Sequence, residues 1–472
     1  MSSDLPPPVT PTPLAPPQPT GRRSRVRVIG WLSLAIVAIA LIGLIAYFLW
    51  RIDPGGARTT ALAIRHFAPE TAAIVIFAAT YLVVAVGTIP GLRLDRAGAA
   101  LVGASLMVAC GIMTLKEAYQ SIDFDTITLL LGMMIVVANL RLSGFFRLVN
   151  AWVVTRARHP VILLAAVTFV SGFFSAFLVN DTICLVLTPL VLGLVTQLRR
   201  NPVPYLLAVA MASNVGSTAT ITGNPQNIII GSLSQVPYGT FAATLAPVAA
   251  IGLLLTVILI ALAFRHEFWT RDRLHAEPAA ARANRPLVIK SVLVTLAMVV
   301  GFFAGLPSAK VAIVAGALLL LTRRIKADKV YREIDGSLLI MFAGLFVVVA
   351  GLEKTVLSPE IIAAVGRLHL DQLPILSGIT AVLSNIVSNV PAVLVLKPFV
   401  AQLQNQQHAW LTVAMASTLA GNFTILGSVA NLIVVQRARA LNVEIGFGTY
   451  FKVGAPLTVL TIAVGVLWLT FR

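Results

Sequence analysis

Charge is what this chain has little of. Of its 472 residues only 11% are charged while 58% are hydrophobic, and the mean hydropathy is +0.91. A soluble globule of that length cannot bury so much apolar surface, so its main solvent must be lipid. Acid is scarcer than base, 18 residues against 35. In a soluble protein the resulting +17 would point to nucleic acid, but here the basic residues cluster between long apolar runs, as topogenic signals do, and no nucleic-acid partner is expected. Cysteine is limited to Cys110 and Cys184, both inside apolar runs, which argues against a structural disulfide or a redox role. The six histidines lie in loops or at segment ends and form no ligand pair, so neither metal site nor cofactor is expected. The sequence has no G-x-x-x-x-G-K-[ST] loop for ATP, and its spans hold no nucleophile, base and acid set. An enzyme is therefore not expected.

What is present is a series of apolar runs. Residues 1–27 form a Pro-rich and then basic tail, expected to be disordered and cytoplasmic. The run 28–50 exceeds 20 residues and is flanked by Trp31 and Trp50, which reads as an extra N-terminal transmembrane helix rather than a cleaved signal. A first half then occupies 70–264, a charged linker 265–286, and a second half 287–472. Within them, 161–198 and 373–406 are too long for one crossing, and each reads as a helical hairpin. The runs 203–233 and 409–435 are interrupted by helix breakers.

The two halves repeat each other. AVAMASNVGSTATITGNPQN (208–227) aligns without a gap to TVAMASTLAGNFTILGSVAN (412–431), with nine of 20 positions identical. Ser175, Asn180 and Pro189 match Ser384, Asn389 and Pro398, and Asp123, Gly132 and Ala138 match Asp335, Gly344 and Ala350. If the hairpins are re-entrant, each copy crosses five times and an odd count inverts the second copy. Basic residues then divide 26 on the cytoplasmic side to 8 outside, the bias that membrane insertion imposes. The expected architecture is all-α: two inverted repeats of five crossings with re-entrant hairpins and interrupted helices, plus the N-terminal helix. This places a multi-pass protein in the cell inner (plasma) membrane, N-terminus cytoplasmic and C-terminus outside.

Polar residues stand where lipid should be. The hairpin tips carry Asn180-Asp181-Thr182 and Ser388-Asn389-Val390-Pro391. The interrupted helices carry Ser217, Thr218, Thr220, Gly223, Asn224 and Asn227 in one copy, and Asn422, Thr424, Gly427 and Asn431 in the other. Helix ends at this depth offer unpaired amides to an anion and unpaired carbonyls to a cation. Asp181 and Lys397 are the only formal charges deep in apolar runs. A charge there costs about 2.5–3.5 kcal/mol even on the lenient insertion scale, so each requires a cavity, an ion or a partner, and Lys397 is a candidate charge partner for the site.

At these residues the chain is similar to the ArsB/NhaD permeases of the ion transporter superfamily, which also includes citrate and dicarboxylate/sodium symporters. FLVNDTICLVLTPLVL and MASNVGSTATITGNPQN look most like YbiR-type anion permeases. The resemblance covers about 70 to 472 and implies a scaffold and a transport domain, often in a dimer, with elevator-like movement. It carries site roles onto Asn180, Asp181, Thr182, Thr220 to Asn227, Ser388, Asn389, Thr424, Gly427 and Asn431. The dicarboxylate branch resembles Ser-Asn-Thr at both tips, and this chain departs from it, which argues against sodium-coupled dicarboxylate uptake. The expected function is a secondary permease for a small inorganic or organic anion (arsenite- or antimonite-like, silicate, sulfate or carboxylate), driven by H⁺ or Na⁺, with Na⁺ seated at the hairpin tips if sodium is the coupling ion. The alternative is a Na⁺/H⁺ antiporter with Asp181 as the exchanging carboxylate.

Overall fold

The structure is a computed structural model and describes residues 57–87, 94–270, 274, 283–356 and 368–472. The expected tail 1–27, the first apolar run 28–50 and half of the linker 265–286 lie outside those residues. The described chain is all-helical. In the first half α1 (Ala57–Val86), α2 (Arg96–Ala109), α3 (Leu115–Ser121), α4 (Phe124–Ser143) and α5 (Phe145–Arg156) lead to α6 (Pro160–Phe177) and α7 (Asn180–Gln197). Then α8 (Pro202–Ser217) and α9 (Pro225–Ser234) flank a 3₁₀ turn, Ile221–Gly223, and α10 (Tyr238–Ala263) and α11 (Arg265–Phe268) follow. The second half has α12 (Arg285–Phe303), α13 (Ser308–Leu320), α14 (Ala327–Tyr331) and α15 (Gly336–Val356), then α16 (Leu373–Val387) and α17 (Asn389–Val400). Finally α18 (Gln406–Ala420) and α19 (Val429–Ala440) flank the turn Ile425–Gly427, and α20 (Phe447–Thr470) closes the chain.

Among the described residues, eight helices are long and apolar enough to cross a membrane. Their outer faces carry apolar stripes that water would not tolerate. On α12, Ile289, Leu293, Leu296 and Val300 fall on one side and are all more than half exposed. The two arms of the first hairpin are 18 residues each, about 27 Å of helix, whereas α16 and α17 have 15 and 12.

Local signals set the helix starts, and they recur at matched positions. Asp123 Oδ1 accepts from the Thr126 amide at 3.1 Å, and Asp335 Oδ1 accepts from the Leu338 amide at 3.1 Å. Asn201 and Asn405 cap α8 and α18 in the same way. Packing is also matched: α4 lies on α13 as α2 lies on α15, α6 on α8 as α16 on α18, and α7 on α19 as α17 on α9. Each of the first two crossings needs a glycine. A β-carbon at Gly132 would stand 2.5 Å from the backbone of Ala312, and one at Gly344 would stand 2.6 Å from the backbone of Ala100.

The interrupted helices occupy the centre. Pro204 to Ser217 and Ala409 to Ala420 are buried without a break. The start of the linker packs rather than dangling: Glu267 takes hydrogen bonds from Arg200 Nε at 2.8 Å and from the Tyr205 hydroxyl at 3.2 Å.

Candidate functional site

Two backbone breaks bring the polar residues together. Both hairpins turn through a residue forced into positive φ, Val179 at +57° and Ser388 at +80°. Such backbone costs on the order of 1–3 kcal/mol and is unusual for a β-branched residue, so packing on both sides must hold it. The second arm of each hairpin then opens with an asparagine. Asn180 Nδ2 donates to Asn214 Oδ1 at 3.0 Å, while its own Oδ1 accepts from the Asp181 amide at 2.9 Å. Asn389, turned so that its nitrogen faces carbonyls, donates to Gly427 at 3.2 Å and Ser417 at 3.1 Å.

The breaks in the central helices are closed by one device used twice. Asn227 Nδ2 donates to the carbonyls of Ser217 (3.1 Å) and Thr220 (3.0 Å), and Asn431 Nδ2 donates to those of Gly421 (2.7 Å) and Thr424 (3.1 Å). These bonds satisfy carbonyls that the unwinding leaves without helical partners. Asn224 caps α9 by accepting from the Asn227 amide at 2.9 Å, with Pro225 at the first helical position, where a missing donor costs nothing. Gly223 lets this turn close, since a β-carbon would stand 2.1 Å from the Ser217 oxygen.

The halves are joined by Asn214 and Thr418, which occupy equivalent positions. Asn214 donates to Asn422 (2.9 Å) and Asn431 (3.0 Å) and accepts from Asn180 and Ser428. Thr418 accepts from Asn224 and Gln226, both at 3.2 Å, and donates to Asn227 at 3.4 Å. The sequence reading missed both hubs. Each was a polar residue in the middle of an apolar run and at the same place in the repeat, which was the available signal.

Beside this network lies a cavity of about 40 Å³ lined by Asn180, Asp181, Pro225, Gln226, Ser388 to Pro391, Ser428 and Arg96. Both tips and the starts of both second half-helices meet there. Of the expected site residues, Asn180, Asp181, Ser388, Asn389 and Pro391 line it. Ser217, Thr218, Asn224, Asn227, Asn422 and Asn431 form the buried network behind it. Thr220 and Thr222 point elsewhere: the Thr220 hydroxyl donates to the Ala176 carbonyl, and that of Thr222 is 2.8 Å from the Tyr238 hydroxyl. The half-buried Asp181 carboxylate has no hydrogen-bond partner among the described residues.

Lys397 is not the charge partner of this site. Eight residues of helix carry it about 12 Å from Asn389, and its Nζ lies 3.0 Å from Glu353 Oε2 on α15. Glu353 is itself half-buried, so Asp181 is not the only embedded acid. Along the first arms, six buried hydroxyls at matched positions, Thr168/Ser377, Ser171/Thr380 and Ser175/Ser384, have no partner among the described residues. Elsewhere Thr244, Thr256, Thr295 and Thr461 bond back to the carbonyl four residues earlier. Among the described residues no group of His, Cys, Asp or Glu could hold a metal ion.

The family model described as citrate transporter matches residues 81–420. A 46 kDa membrane protein of Mycobacterium leprae (strain TN) is 31% identical over 429 residues, covering 85% of this chain and 98% of its own length. A silicon efflux transporter of Oryza sativa subsp. japonica is 29% identical over 464 residues, covering 83% of this chain and 96% of its own. Among solved structures, the Alcanivorax borkumensis YdaH transporter superposes with a TM-score of 0.49 at 17% identity, over 85% of this chain and 97% of that one.

Proposed function

The chain belongs to the citrate transporter family of membrane transporters, and from that premise we propose that it moves a small inorganic oxyanion across the cell inner membrane, driven by an H⁺ or Na⁺ gradient. The observation that carries this reading is the small cavity on which both tips and both second half-helices converge. Pockets for organic ligands measure roughly 300–1,000 Å³, so about 40 Å³ favours an arsenite-, silicate- or sulfate-sized substrate over a tricarboxylate. The starts of α9 and α19 bring the positive ends of two helix dipoles to an anionic oxygen, and α19 begins without a side-chain cap. The relative named as a silicon efflux transporter supports the same size class.

Asp181 carries the coupling ion in this reading, because its carboxylate is embedded and unpaired beside the tip. Elevator-like movement of the hairpins and central helices, with the N-terminus cytoplasmic and the C-terminus outside, completes the proposal. The unpaired Asp181 also fits a Na⁺/H⁺ antiporter. One proteoliposome screen of arsenite, silicate, sulfate, citrate and Na⁺/H⁺ exchange separates the two. The expected result is flux of an inorganic oxyanion that Asp181→Asn and Asn389→Ala abolish in folded protein. A sodium-driven pH change with no anion added would establish the antiporter instead.

A further inference from the structure

Arg96 looked like one more cytoplasmic basic residue, but it stands in the site. It opens α2, and its half-buried side chain lines the cavity with Asn180, Asp181, Asn389 and Ser428. Gly87 makes room for it: the Arg96 Nε lies 3.4 Å from where a β-carbon of Gly87 would stand. No described residue accepts a hydrogen bond from its guanidinium. Asp181 is within electrostatic reach but not bonded to it. A half-buried cation without an acceptor calls for an anionic partner, and a guanidinium is a rigid, permanently charged fork that matches two oxygens of one anion. The matched position in the other half is Ser308, which lines a separate cavity of about 530 Å³ that neither hairpin tip reaches. An arginine at this repeat position is therefore specific to the face that holds the tips, the other cavity having Asp125 and Lys310 from other positions.

We propose that Arg96 is the charged ligand of the transported oxyanion, so that substrate binds as an anion between the Arg96 guanidinium and the tip amides, with the coupling cation on Asp181. This rests on the oxyanion reading above and adds the residue that selects for negative charge. The test uses the full chain, purified and reconstituted, as wild type, Arg96→Gln, Arg96→Lys and Arg324→Gln. Sodium sulfate, silicate, arsenite and citrate are titrated at constant ionic strength against sodium chloride, reading thermal stability and flux. Wild type is expected to show saturable stabilisation by, and flux of, at least one oxyanion. Arg96→Gln should raise KM and the half-saturating concentration roughly tenfold or more, as loss of a charge-assisted contact implies, with the unliganded Tm unchanged. Arg96→Lys should fall between, and Arg324→Gln should match wild type.

Equal KM in wild type and Arg96→Gln overturns the role of Arg96 and leaves the oxyanion reading standing. A wild type that neither binds nor moves sulfate, silicate or arsenite, whether or not it takes citrate, overturns both. If Arg96→Gln does not fold, Arg96→Met decides, because it keeps apolar packing and loses the charge. An unaltered KM in that variant overturns the proposal.

Discussion

The two halves of this protein have nearly the same backbone and different chemistry. Both hairpins turn at a positive-φ residue, both second arms begin with asparagine, and both broken helices are closed by an asparagine that returns to the carbonyls before the break. Yet Asn180 is followed by Asp181 where Asn389 is followed by Val390, and the hub is Asn214 in one half and Thr418 in the other. The equivalent vestibule positions hold Arg96 and Ser308. Backbone symmetry provides two related arrangements of one machine. Side-chain chemistry distinguishes them: the cavity at the tips holds Arg96 and Asp181, whereas the cavity at Ser308 holds Asp125 and Lys310.

The comparison breaks hardest at the hubs. Asn214→Ala removes one buried hydrogen bond from each of Asn180, Asn422, Asn431 and Ser428 at once and should cost about 3 kcal/mol or more, with flux lost. Thr418→Ala should cost only about 1–2 kcal/mol. Thermal unfolding in detergent reads both, and equal losses would mean that the halves are equivalent after all. The helix crossings should behave in the opposite way. Gly132→Ala and Gly344→Ala both push a methyl into backbone and should each destabilise by about 1–3 kcal/mol, by equal amounts. A harmless change at either one would show that the crossings do not match.

The tips should differ in sign. Val179→Gly relieves positive-φ strain but empties a side chain that is only 2% exposed, so it should destabilise by about 1–2 kcal/mol, whereas Ser388→Gly, at a half-buried position, should stabilise by about 0.5–1 kcal/mol. A loss of stability in Ser388→Gly would show that its turn is not strained. The smallest effect lies outside the spans, where the Lys354 ammonium at 2.7 Å, helped by Thr114, holds the Glu117 carboxyl down at about 2 from its ordinary 4.5. A lowered pKa means the contribution is complete above about 4.5 and disappears as pH falls to about 2. Glu117→Gln should flatten the slope of Tm against pH in that window. An unchanged slope would remove the pair from the account.

Much of the site was legible because lipid makes polar residues conspicuous. Asn180, Asp181, Asn227, Asn389 and Asn431 stood out from apolar runs, and the repeat alignment set them in pairs. What was not legible depended on direction. Thr220 and Thr222 lie in the same motif as Asn224 but turn away to Ala176 and Tyr238. Lys397 lies in the hairpin but reaches Glu353, because helical rise carries it past the cavity. Arg96 was counted as a loop charge because its neighbours in sequence are not its neighbours in space.

By itself the sequence determined the solvent, the duplication, the helix caps and the places where the helices must break, all of which follow from composition and local backbone chemistry. Only the tertiary structure decided which broken ends meet. A network running from Asn180 through Asn214 to Asn431 joins residues more than 200 positions apart, and such contacts are set by how helices cross. Those crossings turn on single close approaches such as Gly132 on Ala312 and Gly344 on Ala100. A periodic pattern shows which side of a helix is buried, but not which other helix lies against it.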